Sequence, residues 1–224
     1  MSEAAPRILK PVPPQLTEEN LHRDLERYHR MALDLGAAGA AIVPASYTTI
    51  DERVRLKCFV PRCPRYGETP NCPPHTPSLS EVRAALSLYS WAIVVKSEIR
   101  SIIDYVPVHK DKPTRNRKTL DFHSETSKIV AEIEGAAYRD GYHLAAGFGG
   151  GSCKDYLCAG QICQFMDSGR CRFPLRARPA MEAMGIDVIE LTKRLGWTIY
   201  PLSYAEQNPE CIPFGVSVGM VFIC

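Results

Sequence analysis

Seven of the nine cysteines in this chain fall into two short groups, and no fold is plausible for it that leaves them scattered. The first group lies in "CFVPRCPRYGETPNCPPHTP", residues 58–77, where three cysteines share twenty positions with six prolines. Proline fixes its own φ and removes a backbone donor, so this stretch is too rich in it for helix or sheet. The second group, Cys153, Cys158, Cys163 and Cys171, lies within "GGGSCKDYLCAGQICQFMDSGRCRFP", residues 149–174. Cys211 and Cys224 stand apart from both.

The redox compartment decides how such groups are read. No apolar run approaches the roughly 18 residues of a membrane span. The opening "MSEAAPRILKPVPP" lacks the charged and apolar regions of a secretory signal. A cytoplasmic location is therefore expected, and a reducing cytosol turns clustered thiols toward metal binding or redox chemistry rather than disulfides. An odd number of cysteines also forbids complete internal pairing. The net charge of +2 makes no case for nucleic acid or membrane as partner.

The rest of the 224 residues reads as ordinary globular sequence, long enough to bury a core. Thr17 is an N-cap candidate for a helix in which Leu21, Leu25, Tyr28, Ala32 and Leu35 share a face, with Leu16 able to staple onto Leu21 and Gly36 as the stop. "AAIVP" and "WAIVVKS" read as strands, separated by a helix that opens on a Ser78–Glu81 capping box. Residues 104–118 read as a basic, polar loop, either a solvated connection or a dock for an acidic partner. A helix is expected over 119–139, then a strand in "YHLAAGF". Pro179 suits the first turn of a short helix, and Asp187 with Glu190 can cap another that ends at Gly196. "WTIYPLSY" and "FGVSVGMVFI" read as a closing strand pair. The expected fold is a mixed α/β (α+β) sheet domain over 39–224, carrying both cysteine loops (58–77 and 149–174), with residues 1–38 forming an N-terminal helix.

The spacing of the second group, C-x4-C-x4-C-x7-C, brings four thiolates within nineteen residues, enough to close around one metal centre. The preceding glycines let backbone approach such a centre and offer N–H groups to its sulfurs. A zinc site competes, although neither group has a C-x2-C pair. A phosphate-binding reading of "GFGGGS" lacks the G-K-S/T ending. The first group, C-x4-C-x8-C, supplies the three thiolates of Cys58, Cys63 and Cys72. Its fourth ligand is open: Cys211, Cys224, His75, water or a substrate. Tyr66 and His75 are candidate proton donors within the loop. Arg172, Arg176 and Arg178 stand near the second group, either to stabilise a reduced, anionic cluster or to pair with acids such as Glu182.

"VRLKCFVPRCPRYGETPNCPPHTPSLSEVR", "AAGFGGGSCKDYLCAGQIC" and "CRFPLRARPAMEAMGIDVIELTKRLGW" together resemble domain-of-unknown-function family 2284, the predicted metal-binding proteins, over roughly residues 40–200. Cys58, Cys63 and Cys72 match its first motif. Cys153 through Cys171 match the second, followed by Arg172, Pro174, Arg178, Glu182 and Gly185. The resemblance implies two [4Fe–4S] clusters and a role in anaerobic metabolism. Two functions follow as expectations. One is low-potential electron transfer with a ferredoxin-like donor or a partner redox enzyme. The other is an enzyme whose three-cysteine cluster binds a small-molecule substrate at an open iron. A zinc-stabilised interaction module is the third reading.

Overall fold

Two strands buried on both faces hold the molecule together. The computed structural model describes residues 16–99, 117–200 and 212–224. Strands β1 (Gly39–Pro44), β2 (Trp91–Ile99), β3 (Ala146–Phe148) and β4 (Gly215–Phe222) form one antiparallel sheet in the order β1-β2-β4-β3. Side chains alternate along a strand. Ile93, Val95 and Val221 therefore enter one core layer, whereas Ala92, Val94, Met220 and Phe222 enter the other. The mixed α/β class expected from the sequence is the one observed.

Helices α1 (Glu18–Asp34) and α4 (Arg117–Arg139) cover the first layer, through Leu25, Tyr28 and Ala32 on α1 and Ile129, Val130, Ile133 and Ala137 on α4. The Thr17 side chain caps α1 by accepting from Asn20 N–H at 3.2 Å. Leu16 and Leu35 are exposed, so the apolar stripe of α1 is shorter at both ends than its sequence pattern suggests. A polar network joins α1 to the end of α4. Tyr28 donates to Asp140 at 2.9 Å, Tyr142 donates to Asp24 at 3.1 Å, and Arg27 bonds both carboxylates. The sheet lets α4 approach closely because Gly219 faces it: a Cβ there would lie 2.6 Å from a Val130 methyl.

The second layer is covered by α3 (Leu79–Leu86), by the stretch from Met181 to Ile186, and by α7 (Val188–Arg194). The Ser78–Glu81 capping box opens α3, and Asp187 caps α7 by accepting from Glu190 N–H at 3.0 Å.

Three expectations are corrected. Among the described residues the closing strand pair is not formed. β2 takes one edge of β4 along its length and β3 takes the other at Met220–Phe222, while residues 197–200 lie outside any ladder, with Trp197 and Ile199 packed on the second layer and Lys96 over the Trp197 ring at 5.3 Å. The remainder of "WTIYPLSY" lies outside the described residues, as does most of the 104–118 loop, of which Arg117 and Lys118 already belong to α4. Pro179 starts no helix: its carbonyl accepts from Gly149 N–H at 2.9 Å, and only a short 3-10 turn, Glu182–Met184, follows. The strand in "YHLAAGF" is limited to Ala146–Phe148.

Candidate functional site

Each cysteine of the first group sits at a local backbone turn. Helix α2 (Glu52–Leu56), capped by Asp51 accepting from Arg53 N–H at 2.8 Å, delivers the chain to Cys58. Cys63 N–H then donates to Cys58 O at 3.1 Å, Tyr66 N–H to Cys63 O at 3.0 Å, and His75 N–H to Cys72 O at 3.1 Å. Gly67 N–H crosses the loop to Pro73 O at 2.7 Å, and Arg55 ties its end by donating to Pro77 O at 2.7 Å. All three cysteines are half-buried. Burial, and then the neighbouring Cys63 and Cys72, push the Cys58 thiol up.

The second group begins where β3 runs out beneath α4. Gly149, Gly150 and Gly151 bring the backbone up to α4. A Cβ at Gly149 would lie 2.5 Å from Ser127 Oγ, and one at Gly151 would lie 2.6 Å from the His123 ring. Gly151 also has φ +63°, which favours glycine. His123 is half-buried there with Nδ1 2.9 Å from Ser217 Oγ, and desolvation holds its pKa down. The chain then enters α5 (Cys153–Tyr156) and α6 (Gln164–Ser168), with Cys163 at the N-cap of α6. Cys153, Cys158 and Cys163 are buried and Cys171 is half-buried. All four line a single cavity, together with Leu157, Phe173 and Ala177. Phe173 N–H donates to Cys171 Sγ at 3.3 Å.

The same cavity is lined by Thr69, Pro70 and Asn71 of the first loop, so the two groups adjoin. Asn71 Nδ2 donates to Cys153 Sγ at 3.5 Å, and Cys72 Sγ lies 3.6 Å from Ser152 Oγ. Two ion pairs cross the same seam, Arg65 with Asp155 and Lys154 with Glu68. Burial pushes the Cys153 thiol up to about 11, against the hydrogen bonds from Asn71 and Thr69 that draw it down. Tyr156, on α5, lies at this seam as well. Burial pushes its phenol up to about 12, and neither its hydroxyl nor that of Ser127 on α4 has a well-formed hydrogen bond.

The remaining sequence candidates are dispersed. Tyr66 packs edge-on against Phe59 at 4.9 Å under the Arg62 guanidinium, and His75 is exposed. Cys224 lies past the far end of β4, where its carbonyl accepts from Trp91 N–H at 3.0 Å. At about 3.3 Å per residue it stands roughly 20 Å along the strand from Ser217. Cys211 lies outside the described residues. Arg178 pairs with Glu134 of α4, Arg172 donates to Ile162 O at 2.8 Å, and Arg176 lies over the Phe173 ring at 6.0 Å. None of these three arginines has a recorded ion pair with Glu182. Thr69, Asn71, Ser127, Ser152 and Tyr156 were not singled out from sequence. Asn71 and Ser152, each next to a cysteine, and Tyr156, between two, carried only that positional signal.

Among the described residues no three His, Cys, Asp or Glu side chains converge as the ligands of one metal ion would. The second group instead surrounds a shared space with soft sulfur donors, and backbone and amide N–H groups point at two of those sulfurs. That donor set is the one iron–sulfur clusters take. The family model described as predicted metal-binding protein (DUF2284) matches residues 41–217, which include both cysteine groups. No curated protein and no solved structure matches the chain.

Proposed function

Since the chain belongs to the DUF2284 family of predicted metal-binding proteins, we propose that it is an iron–sulfur protein that transfers electrons at low potential. Cys153, Cys158, Cys163 and Cys171 would hold one [4Fe–4S] cluster, and Cys58, Cys63 and Cys72 would contribute to a second. The observation that carries this reading is the cavity shared by all four cysteines of the second group and by residues of the first loop. Such clusters supply reversible one-electron chemistry when bound.

The chain's own residues have definable tasks in this reading. Leu157, Phe173 and Ala177 limit water at the sulfurs. Asn71 and Thr69 stabilise the Cys153 thiolate by donating to it. The Arg65–Asp155 and Lys154–Glu68 pairs keep the two groups side by side, as two centres exchanging electrons require. A ferredoxin-like donor or a partner redox enzyme would meet the protein beside Cys171, where Arg170, Arg172 and Arg176 are exposed.

Anaerobic purification followed by iron, zinc and acid-labile sulfide analysis tests the proposal. Iron and sulfide in equal amounts, with broad visible absorption and an EPR signal on reduction, are expected. Zinc without sulfide would replace it with a zinc-stabilised module. The three cysteines of the first loop leave a second reading for that group, an open iron that takes a small-molecule substrate. A change in one centre's EPR signal on adding cyanide supports that reading. Loss of the first cluster in Cys211→Ser supports a plain relay.

A further inference from the structure

We propose that the Tyr156 hydroxyl donates a hydrogen bond to sulfur at the seam between the two cysteine groups, and so sets the reduction potential of the centre bound there. This rests on the iron–sulfur reading above and adds a residue outside both cysteine motifs. Three placements carry it. Cys153 and Tyr156 are three residues apart in the single turn of α5, a spacing that puts both side chains on one helical face. Cys72 comes to the same seam from the first loop, with its sulfur 3.6 Å from Ser152 Oγ, one residue before Cys153. The Tyr156 hydroxyl is buried, lies within electrostatic range of Cys153 and Cys72, and has no well-formed hydrogen bond.

A buried phenol without an acceptor is costly to a fold, and native proteins rarely keep one. Neutral thiols are weak acceptors, whereas metal-bound thiolates and cluster sulfides are strong ones. Bound thiolates or cluster sulfides would thus give the Tyr156 hydroxyl a strong acceptor. Beside it, the Ser127 hydroxyl is also buried and faces the phenol, without a well-formed hydrogen bond between the two. The missing side chain of Gly149 leaves Ser127 the room it occupies, since a Cβ there would sit 2.5 Å from its Oγ. Ser127 orients the phenol from the side away from the sulfurs. A hydrogen bond to sulfur favours the reduced, more negative state, so it raises the potential.

Redox titration followed by EPR, on protein prepared anaerobically, tests the role. The series replaces Tyr156 with Phe, which keeps the ring and removes the donor, and with 3-fluorotyrosine, which keeps the size and strengthens the donor. The midpoint potential of one centre should fall in Tyr156→Phe and rise with 3-fluorotyrosine, at unchanged iron and sulfide content, while the other centre stays put. Ser127→Ala should move the same centre in the direction of the Phe variant, by less. If Tyr156→Phe fails to load, the 3-fluorotyrosine protein decides alone: a raised potential supports the role and an unchanged one overturns it. Potentials indifferent to residue 156 in fully loaded protein overturn the role of Tyr156 and leave the cluster reading standing. Wild-type protein without iron and sulfide overturns both.

Discussion

Asn71 meets Cys153 across eighty-two positions of chain, and that one contact decides how readily the thiol gives up its proton. Burial pushes Cys153 up to about 11, and the donors at Asn71 and Thr69 are what oppose it. A thiol must lose its proton to bind metal, so the shift opposes loading at neutral pH. Asn71→Ala removes one donor and should cost about 1 kcal/mol, roughly a fivefold loss of metal affinity at pH 7. The sign of the pH dependence follows. The deficit is full while the free thiol is protonated and shrinks as pH rises toward its pKa. With that pKa at about 11, competition with a chelator should find the same deficit at pH 7 and pH 9, and a deficit that grows with pH would contradict the assignment. Nothing local to "TPNCPP" distinguishes Asn71 from a solvated turn residue, because its acceptor belongs to a segment far along the chain. Tyr156 was hidden for a related reason: its place between two cysteines was visible, but its burial depends on α4.

Elements with strong end signals were legible. Thr17, Ser78 and Asp187 cap the helices they were expected to open, because a side-chain oxygen before an apolar period satisfies orphan N–H groups locally. Strands β1, β2 and β4 were legible as short apolar runs. Helices α5 and α6 were not, since four or five residues are too few to display a period. In "GFGGGS" the glycines signalled a close backbone approach, and the neighbour they meet here is α4. The same junction depends on Glu134, which accepts from Gly147 N–H at 3.1 Å and pairs with Arg178 beyond the last cysteine of the group. Both side chains are largely buried, so Arg178→Ala leaves a carboxylate short of its partner. It should destabilise the protein by about 2–3 kcal/mol. Chemical denaturation of the metal-free protein measures this, and a change within 0.5 kcal/mol, about that of an ordinary surface substitution, would contradict it.

At the scale of the whole molecule, the sheet and α4 present one cysteine group while α2 and its following turns present the other, and paired charges join them. The sequence displayed both groups but not their adjacency, which exists only once the sheet has closed. Arg65 and Asp155 should therefore couple by about 1–2 kcal/mol in a double-mutant cycle to alanine. The cycle is needed because Asp155 has a further interaction besides Arg65, which a single variant would also remove. Coupling near zero would mean that this pair does not help to hold the two loops together. The face turned outward beside this seam yields the last prediction. Ile162 and Leu175 are 76% and 80% exposed, and Phe165 and Met166 are also open to solvent, in the same segment as exposed Arg170, Arg172 and Arg176. An apolar patch bordered by cations next to the proposed cluster site suits an acidic electron carrier, which would be steered by charge and docked by burial. Reversing Arg170 and Arg176 to glutamate should slow electron transfer from such a carrier about tenfold at low salt. The difference should narrow as ionic strength rises, because screening removes steering from wild type and variant alike. Stopped-flow reduction at several salt concentrations, with iron content matched between the two proteins, is the measurement. Rates that stay equal at low salt would move the docking face elsewhere on the molecule.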